Sequence, residues 1–226
     1  MTRKILCYGD SNTWGVIPRW ETTSLPSERY DKKTRWTQVM AADLGQEWEL
    51  IEEGLGGRTT MYQIPGEDYR RGDWYLTPCL LSHRPLDCIV LMLGSNDLQP
   101  RMHEQPFTRE QMYAGPRRLL DLILAQPQCG VGNQPPKILL LAPTPLKLPQ
   151  VPPRVPGAID ETSVHLSHEF ASVYEEIAKE YGCGFLDAGL FACPDDSDGA
   201  HFTKESHVRL GHGVAAAVIS MVKQES

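Results

Sequence analysis

The chain has 226 residues, of which 41% are apolar, and a formal charge of −7, enough apolar material for one α/β domain spanning 1–226 around a single sizeable core. An acidic chain with no run of Lys and Arg has little with which to track a phosphate backbone, so nucleic-acid binding is set aside. The apolar stretch before Gly9 and Asp10 is too short for a signal-peptide core or a membrane span, so a soluble, cytoplasmic protein without membrane contact is expected.

In chain order, residues 3–8 form a short Ile/Leu-rich run that reads as a buried parallel strand and ends in GDSNTWG. A long loop, 17–33, precedes a stretch with helical spacing at 34–44. A second strand at 48–52 runs into GLGGRTT, and a third at 87–93 runs into GSNDL. Helical spacing returns at 108–125, followed by a fourth strand at 137–141 and APTP. A proline-rich loop at 143–160 has the length of a lid or binding wall, or of a packed surface excursion or subunit contact. A helix at 161–181, a weaker strand at 184–186, the string DGAHFT and a closing helix at 204–222 complete the chain. The alternation predicts a doubly wound parallel sheet with its site at the carboxyl ends of the strands.

The residues just after the strands supply the parts that acyl transfer needs. Serine is a weak nucleophile unless a base takes its proton and donors stabilise the oxyanion. Ser11 follows the first strand in a Gly9-Asp10-Ser11 turn, where a helix beginning near Asn12 would aim backbone N–H groups at it. His201 lies three residues after Asp198, so one loop can carry a general base and the carboxylate that fixes its tautomer. For the oxyanion, the Asn96 side chain, the Gly57 N–H and the Ser11 N–H are the candidate donors. Loss of one such donor costs about 3 to 4 kcal/mol of transition-state stabilisation.

These four blocks, in this order, resemble the SGNH or GDSL-type hydrolase family, and the resemblance covers nearly the whole chain. It implies a three-layer, flavodoxin-like fold, with Ser11 as nucleophile, Asp198 and His201 as the dyad, and Ser11, Gly57 and Asn96 in the oxyanion hole. Gly57, rather than Gly56, takes that place because it immediately precedes Arg58-Thr59-Thr60. The strings ILCYGDSNTWG, LIEEGLGGRTT, IVLMLGSND and DGAHFT are most similar to bacterial arylesterases and acyltransferases. That likeness implies short acyl esters of aryl or alkyl alcohols, water or an alcohol as acceptor, no cofactor or metal, and assembly into a homo-oligomer. A carbohydrate O-acetylesterase, or a thioesterase or lysophospholipase of the same fold, is the alternative. Asn12 departs from the family, which usually has leucine there.

Other features have competing readings. Trp14 is a candidate wall of the acyl or alcohol pocket, with the core as its other place. Arg58 is a candidate substrate contact, a brace for the oxyanion loop, or the partner of a surface carboxylate. Asp10 and Asp97 read as structural carboxylates beside the site. The six cysteines form no CxxC pair and read as free thiols, Cys193 being the one in a polar loop. His165 and His168 share a helix face but lack the HExxH order, His207 and His212 belong to the closing helix, and His83 and His103 have no assigned role. A nucleotide or flavin binder is disfavoured because GLGGRTT has Thr59 where GxGxxG needs its last glycine. A non-catalytic module for acyl groups or sugars is the remaining rival class.

Overall fold

A computed structural model describes residues 2–18, 28–64, 66–151 and 157–223. Most of the 17–33 loop therefore lies outside the described residues, as do residues 152–156 of the 143–160 loop.

Five parallel strands, β1 (Arg3–Gly9), β2 (Trp48–Gly54), β3 (Cys88–Met92), β4 (Lys137–Ala142) and β5 (Gly184–Asp187), form one sheet in the order β2-β1-β3-β4-β5. This is the doubly wound order in which the chain reverses direction across the sheet between β1 and β3, opening a crevice there. In register, Gly9 lies beside both Gly54 and Met92, so the first three strands end level. The loops after them leave from one rim.

The inner strands β1, β3 and β4 are largely apolar because both faces of the sheet are covered there. Leu6, Tyr8, Ile89 and Leu91 face a layer built from α3 (Gly72–His83), α4 (Ala114–Leu124) and α6 (Phe170–Tyr181). Ile5, Cys7, Val90, Leu139 and Leu141 face α2 (Trp36–Leu44) and α7 (Lys204–Lys223). Side-chain alternation along a strand sends neighbours to opposite layers, which gives continuous apolar runs in place of an alternating pattern. The three-layer α/β architecture agrees with the sequence reading.

Two departures have local causes. The predicted helix at 161–181 is two helices, α5 (Glu161–Ser167) and α6. Ser167 Oγ donates to Val164 O at 2.6 Å and accepts from Leu146 N at 2.8 Å, so this side chain competes with the helical pattern where the break falls. The helix α3 has no counterpart in the sequence reading. Its large apolar side chains surround it, with Trp74, Tyr75 and Leu81 exposed and Leu76, Cys79 and Leu80 buried, and Pro78 sits inside it. No apolar stripe marks it.

His207 of α7 is fully buried, with Nδ1 accepting from Trp36 N at 3.4 Å and its ring edge-on to Tyr30 and Phe202. Burial, helped by the charges of His201 and Arg35, lowers its pKa from 6.5 to about 3. Between those values the folded chain binds fewer protons than the unfolded chain, so stability rises with pH there. The contribution is complete above about 6.5 and is lost as pH falls toward 3. Denaturant unfolding at pH 7 and pH 4 should show His207→Gln losing less stability than wild type on acidification, by on the order of a few kcal/mol. Equal losses would contradict this.

Candidate active site

Ser11 opens α1 (Ser11–Trp14), a single turn directly after β1. The Asp10 side chain caps it, accepting from Asn12 N at 2.9 Å. One turn is too short to sum a macrodipole, so the helix expected near Asn12 contributes local amides rather than a helix-end field. Ser11 itself is 8% exposed.

The loop before α7 brings an imidazole and a carboxylate to Ser11. His201 Nε2 lies 3.0 Å from Ser11 Oγ, and His201 Nδ1 lies 2.8 Å from Asp198 Oδ2. Asp198 Oδ1 accepts two backbone bonds, from Ala200 N at 3.0 Å and His201 N at 2.8 Å. One buried carboxylate thus shapes the loop and orients the ring it carries. Gly199 makes the turn at φ 70°, and a Cβ there would fall 2.0 Å from Lys147 O.

Asn12 is a positioning residue that sequence reasoning missed. Its Nδ2 donates to Ala200 O at 3.1 Å, and its Oδ1 accepts from Phe202 N at 3.0 Å. The amide therefore holds the backbone on both sides of His201 to the turn that bears Ser11. Leucine, the usual family residue, can do neither.

On the opposite side stands Asn96, in the 3-10 turn Ser95–Leu98 after β3. Its Nδ2 donates to Arg58 O at 3.0 Å, and its Oδ1 accepts from Gln99 Nε2 at 2.7 Å. An amide nitrogen has two hydrogens, so one is left to face a ligand. Gly94, just before, has φ 136°, and a Cβ there would meet the Tyr174 hydroxyl at 2.1 Å. The turn after β2 is tied to the same rim, with Leu55 N donating to Gly9 O at 3.1 Å and Arg58 N to Leu55 O at 3.0 Å. Gly57 lies inside that turn at φ 72°.

Two buried carboxylates stand at these loops, Asp97 joining two of them and Asp10 capping its own turn. Asp97 accepts from Thr60 N at 2.8 Å and Thr60 Oγ1 at 2.6 Å, joining the segment after β2 to that after β3. Burial, opposed by the Thr60 bonds, pushes its pKa up to about 7. Burial raises Asp10 to about 6 against the opposing Asn12 amide.

Ser11, Asn96 and His201 line a pocket of about 80 Å³. Leu146, Ala158 and Ile159 of the 143–160 loop form one wall of it. Trp14 and Arg58 are not among its described walls. The Trp14 ring lies beneath the Arg29 guanidinium, 5.2 Å from ring centre to Cζ. Arg58 is 3% exposed, with its Cζ 4.2 Å over the Tyr8 ring and Nη1 donating to Gly9 O at 2.9 Å and also to Glu53 O. Of its readings, these contacts fit the brace.

The model of the GDSL-like lipase/acylhydrolase family matches residues 7–209. Among solved structures, the chain is similar to Est24, a carbohydrate acetylesterase from Sinorhizobium meliloti, at 36% identity and a TM-score of 0.85, over 97% of this chain and 99% of that one. It is similar to the native M. smegmatis aryl esterase at 36% identity and a TM-score of 0.85, over 96% of this chain and 99% of that one. The comparison with curated proteins finds no match.

Replacing Asn12 by leucine should strand Ala200 O and Phe202 N and loosen His201. At about 1 kcal/mol per lost bond, kcat for p-nitrophenyl acetate should fall roughly tenfold or more, with KM near its wild-type value. An unchanged kcat in a folded Asn12→Leu protein would remove the positioning role.

Proposed function

The chain belongs to the GDSL-like lipase/acylhydrolase family, and from that premise we propose that it hydrolyses short-chain acyl esters of aryl or alkyl alcohols through an acyl-enzyme on Ser11. The observation that carries this reading is the 3.0 Å contact between His201 Nε2 and Ser11 Oγ, with Asp198 behind the ring. Ser11 Oγ attacks the ester carbonyl carbon while His201 Nε2 takes its proton. The tetrahedral oxyanion is held by the Ser11 and Gly57 N–H groups and by Asn96 Nδ2. His201 then gives the proton to the departing alcohol as the ester C–O bond breaks. Water, or a second alcohol, next loses a proton to His201 and attacks the acyl carbon, and as the bond to Ser11 Oγ breaks His201 returns that proton to Ser11, releasing acid or a new ester. Asp198 stays ionised and steadies the imidazolium.

The small pocket supports the acyl range, since about 80 Å³ holds only a few water volumes and thus a short acyl group. The alcohol side is open to two readings. The M. smegmatis relative favours an aryl ester, and the S. meliloti relative favours an acetylated sugar, for which Ser95 and Gln99 at the pocket wall offer polar contacts. Among the described residues no helix is long and apolar enough to cross a membrane, and the proposal includes a cytoplasmic location. Assembly as a homo-oligomer is also part of it, supported by the exposed Tyr69, Trp74 and Leu190 side chains.

A fluorophosphonate should label wild type and not Ser11→Ala, and equal labelling would move the nucleophile elsewhere. Across p-nitrophenyl esters from acetate to laurate, turnover should fall steeply with acyl length, whereas a flat series would contradict the short-chain reading. Adding alcohol to the same assay measures transfer. Faster turnover of an acetylated monosaccharide than of p-nitrophenyl acetate would select the sugar reading.

A further inference from the structure

The two glutamates at the end of β2 point to opposite faces and meet different company. Glu52 faces α2 and is neutralised by Arg29 at 3.3 Å and Arg35 at 3.0 Å, with Thr37 and Gln38 adding hydrogen bonds. Glu53 faces α3, where its carboxylate meets His83 Nε2 at 3.0 Å and the Tyr75 hydroxyl at 3.3 Å. The nearby Arg58 donates through Nη1 to the backbone oxygens of Gly9 and Glu53.

Tyr75, Cys79 and His83 recur every four residues, so they form one stripe on α3, and that stripe faces Glu53. A ligand atom from each of Glu53, Cys79 and His83 lies within 4.8 Å of the others. Among the described residues this is the one grouping of its kind. The donors are a thiol, an imidazole and a carboxylate, the mixed sulfur, nitrogen and oxygen set that suits zinc, with three protein ligands and room for a fourth. Metal–ligand bonds of about 2.0 to 2.3 Å place tetrahedral ligand atoms roughly 3.2 to 3.7 Å apart, which side-chain rotation of an ångström or so supplies here. The Cys79 side chain is buried, while the Glu53 and His83 side chains are 19% and 32% exposed. A cavity of about 540 Å³, lined by Glu53, Tyr75 and Trp74 and also by Arg58 and Arg71, adjoins the grouping on its Glu53 side.

We propose that Glu53, Cys79 and His83 bind a zinc-class divalent cation that clamps α3 to the edge strand β2. None of the three lines the Ser11 pocket. On binding, the metal–sulfur bond replaces the Cys79 S–H bond and the proton leaves to solvent, with no change of oxidation state. A plain Glu53–His83 ion pair beside an inert thiol is the alternative outcome.

Cobalt(II) titrated into chelator-stripped full-length protein separates the two. One equivalent should bind with a sulfur-to-cobalt charge-transfer band in the near ultraviolet and the visible bands of tetrahedral cobalt. The charge-transfer band should vanish in Cys79→Ser and persist in Cys193→Ser. His83→Ala should weaken cobalt and zinc binding at least tenfold. Zinc should raise the melting temperature of wild type but not of Cys79→Ser. No charge-transfer band at several-fold excess cobalt would overturn the proposal, as would a band and affinity unchanged in His83→Ala. If the buried Cys79→Ser change prevents folding, the wild-type spectrum and the half-exposed His83→Ala variant still decide.

Discussion

Everything at this rim depends on holding one imidazole between a hydroxyl and a buried carboxylate. The Asp198 side chain is 1% exposed and, among the described residues, has no Lys or Arg as a hydrogen-bond partner, so its desolvation must be offset by donors. Among the described residues it has three: the His201 ring and the backbone N–H groups of Ala200 and His201. Because two of the three belong to the loop's own backbone, satisfying the charge and shaping the loop are one event. The loop is then anchored from outside by Lys147 N on Gly199 O and by Asn12 on either side of the ring.

The sheet makes this local arrangement possible. The reversal between β1 and β3 puts the ends of two neighbouring strands side by side, so the Ser11 and Asn96 turns face one crevice. Binding the loops there has a cost. Asp10 and Asp97, raised to about 6 and 7, hold protons to higher pH in the folded chain than in the unfolded one. Each therefore withdraws stability as pH rises from about 4 toward those values. Against that loss, Asp97 joins the segments after β2 and β3, and Asp10 caps the turn after β1.

What could be read from the sequence follows from what each feature depends on. Strands buried on both faces leave unbroken apolar runs, and β1, β3 and β4 were legible to within a residue or two. Ser11, Asp198 and His201 were legible because the dyad shares one loop and the nucleophile follows a strand directly. The helix α3 was not, because its apolar residues surround it and leave no period. Asn12 acts through contacts that exist only once distant segments meet, 188 residues apart for Asn12 and Ala200. For Arg58 the sequence left brace, substrate contact and ion-pair partner open, and its contacts with Gly9 O, Glu53 O and the Tyr8 ring fit the brace. The Glu53, Cys79 and His83 grouping was equally hidden, since one member comes from a strand and two from a helix without a zinc-type spacing in the sequence.

The central claim is that Ser11 and His201 act as one relay, and a double-mutant cycle measures that most directly. With kcat for p-nitrophenyl acetate as readout, Ser11→Ala, His201→Ala and the double variant should each lose about the same factor, roughly 10⁴ to 10⁶. Losses that multiply in the double variant would show two independent contributions and contradict the relay.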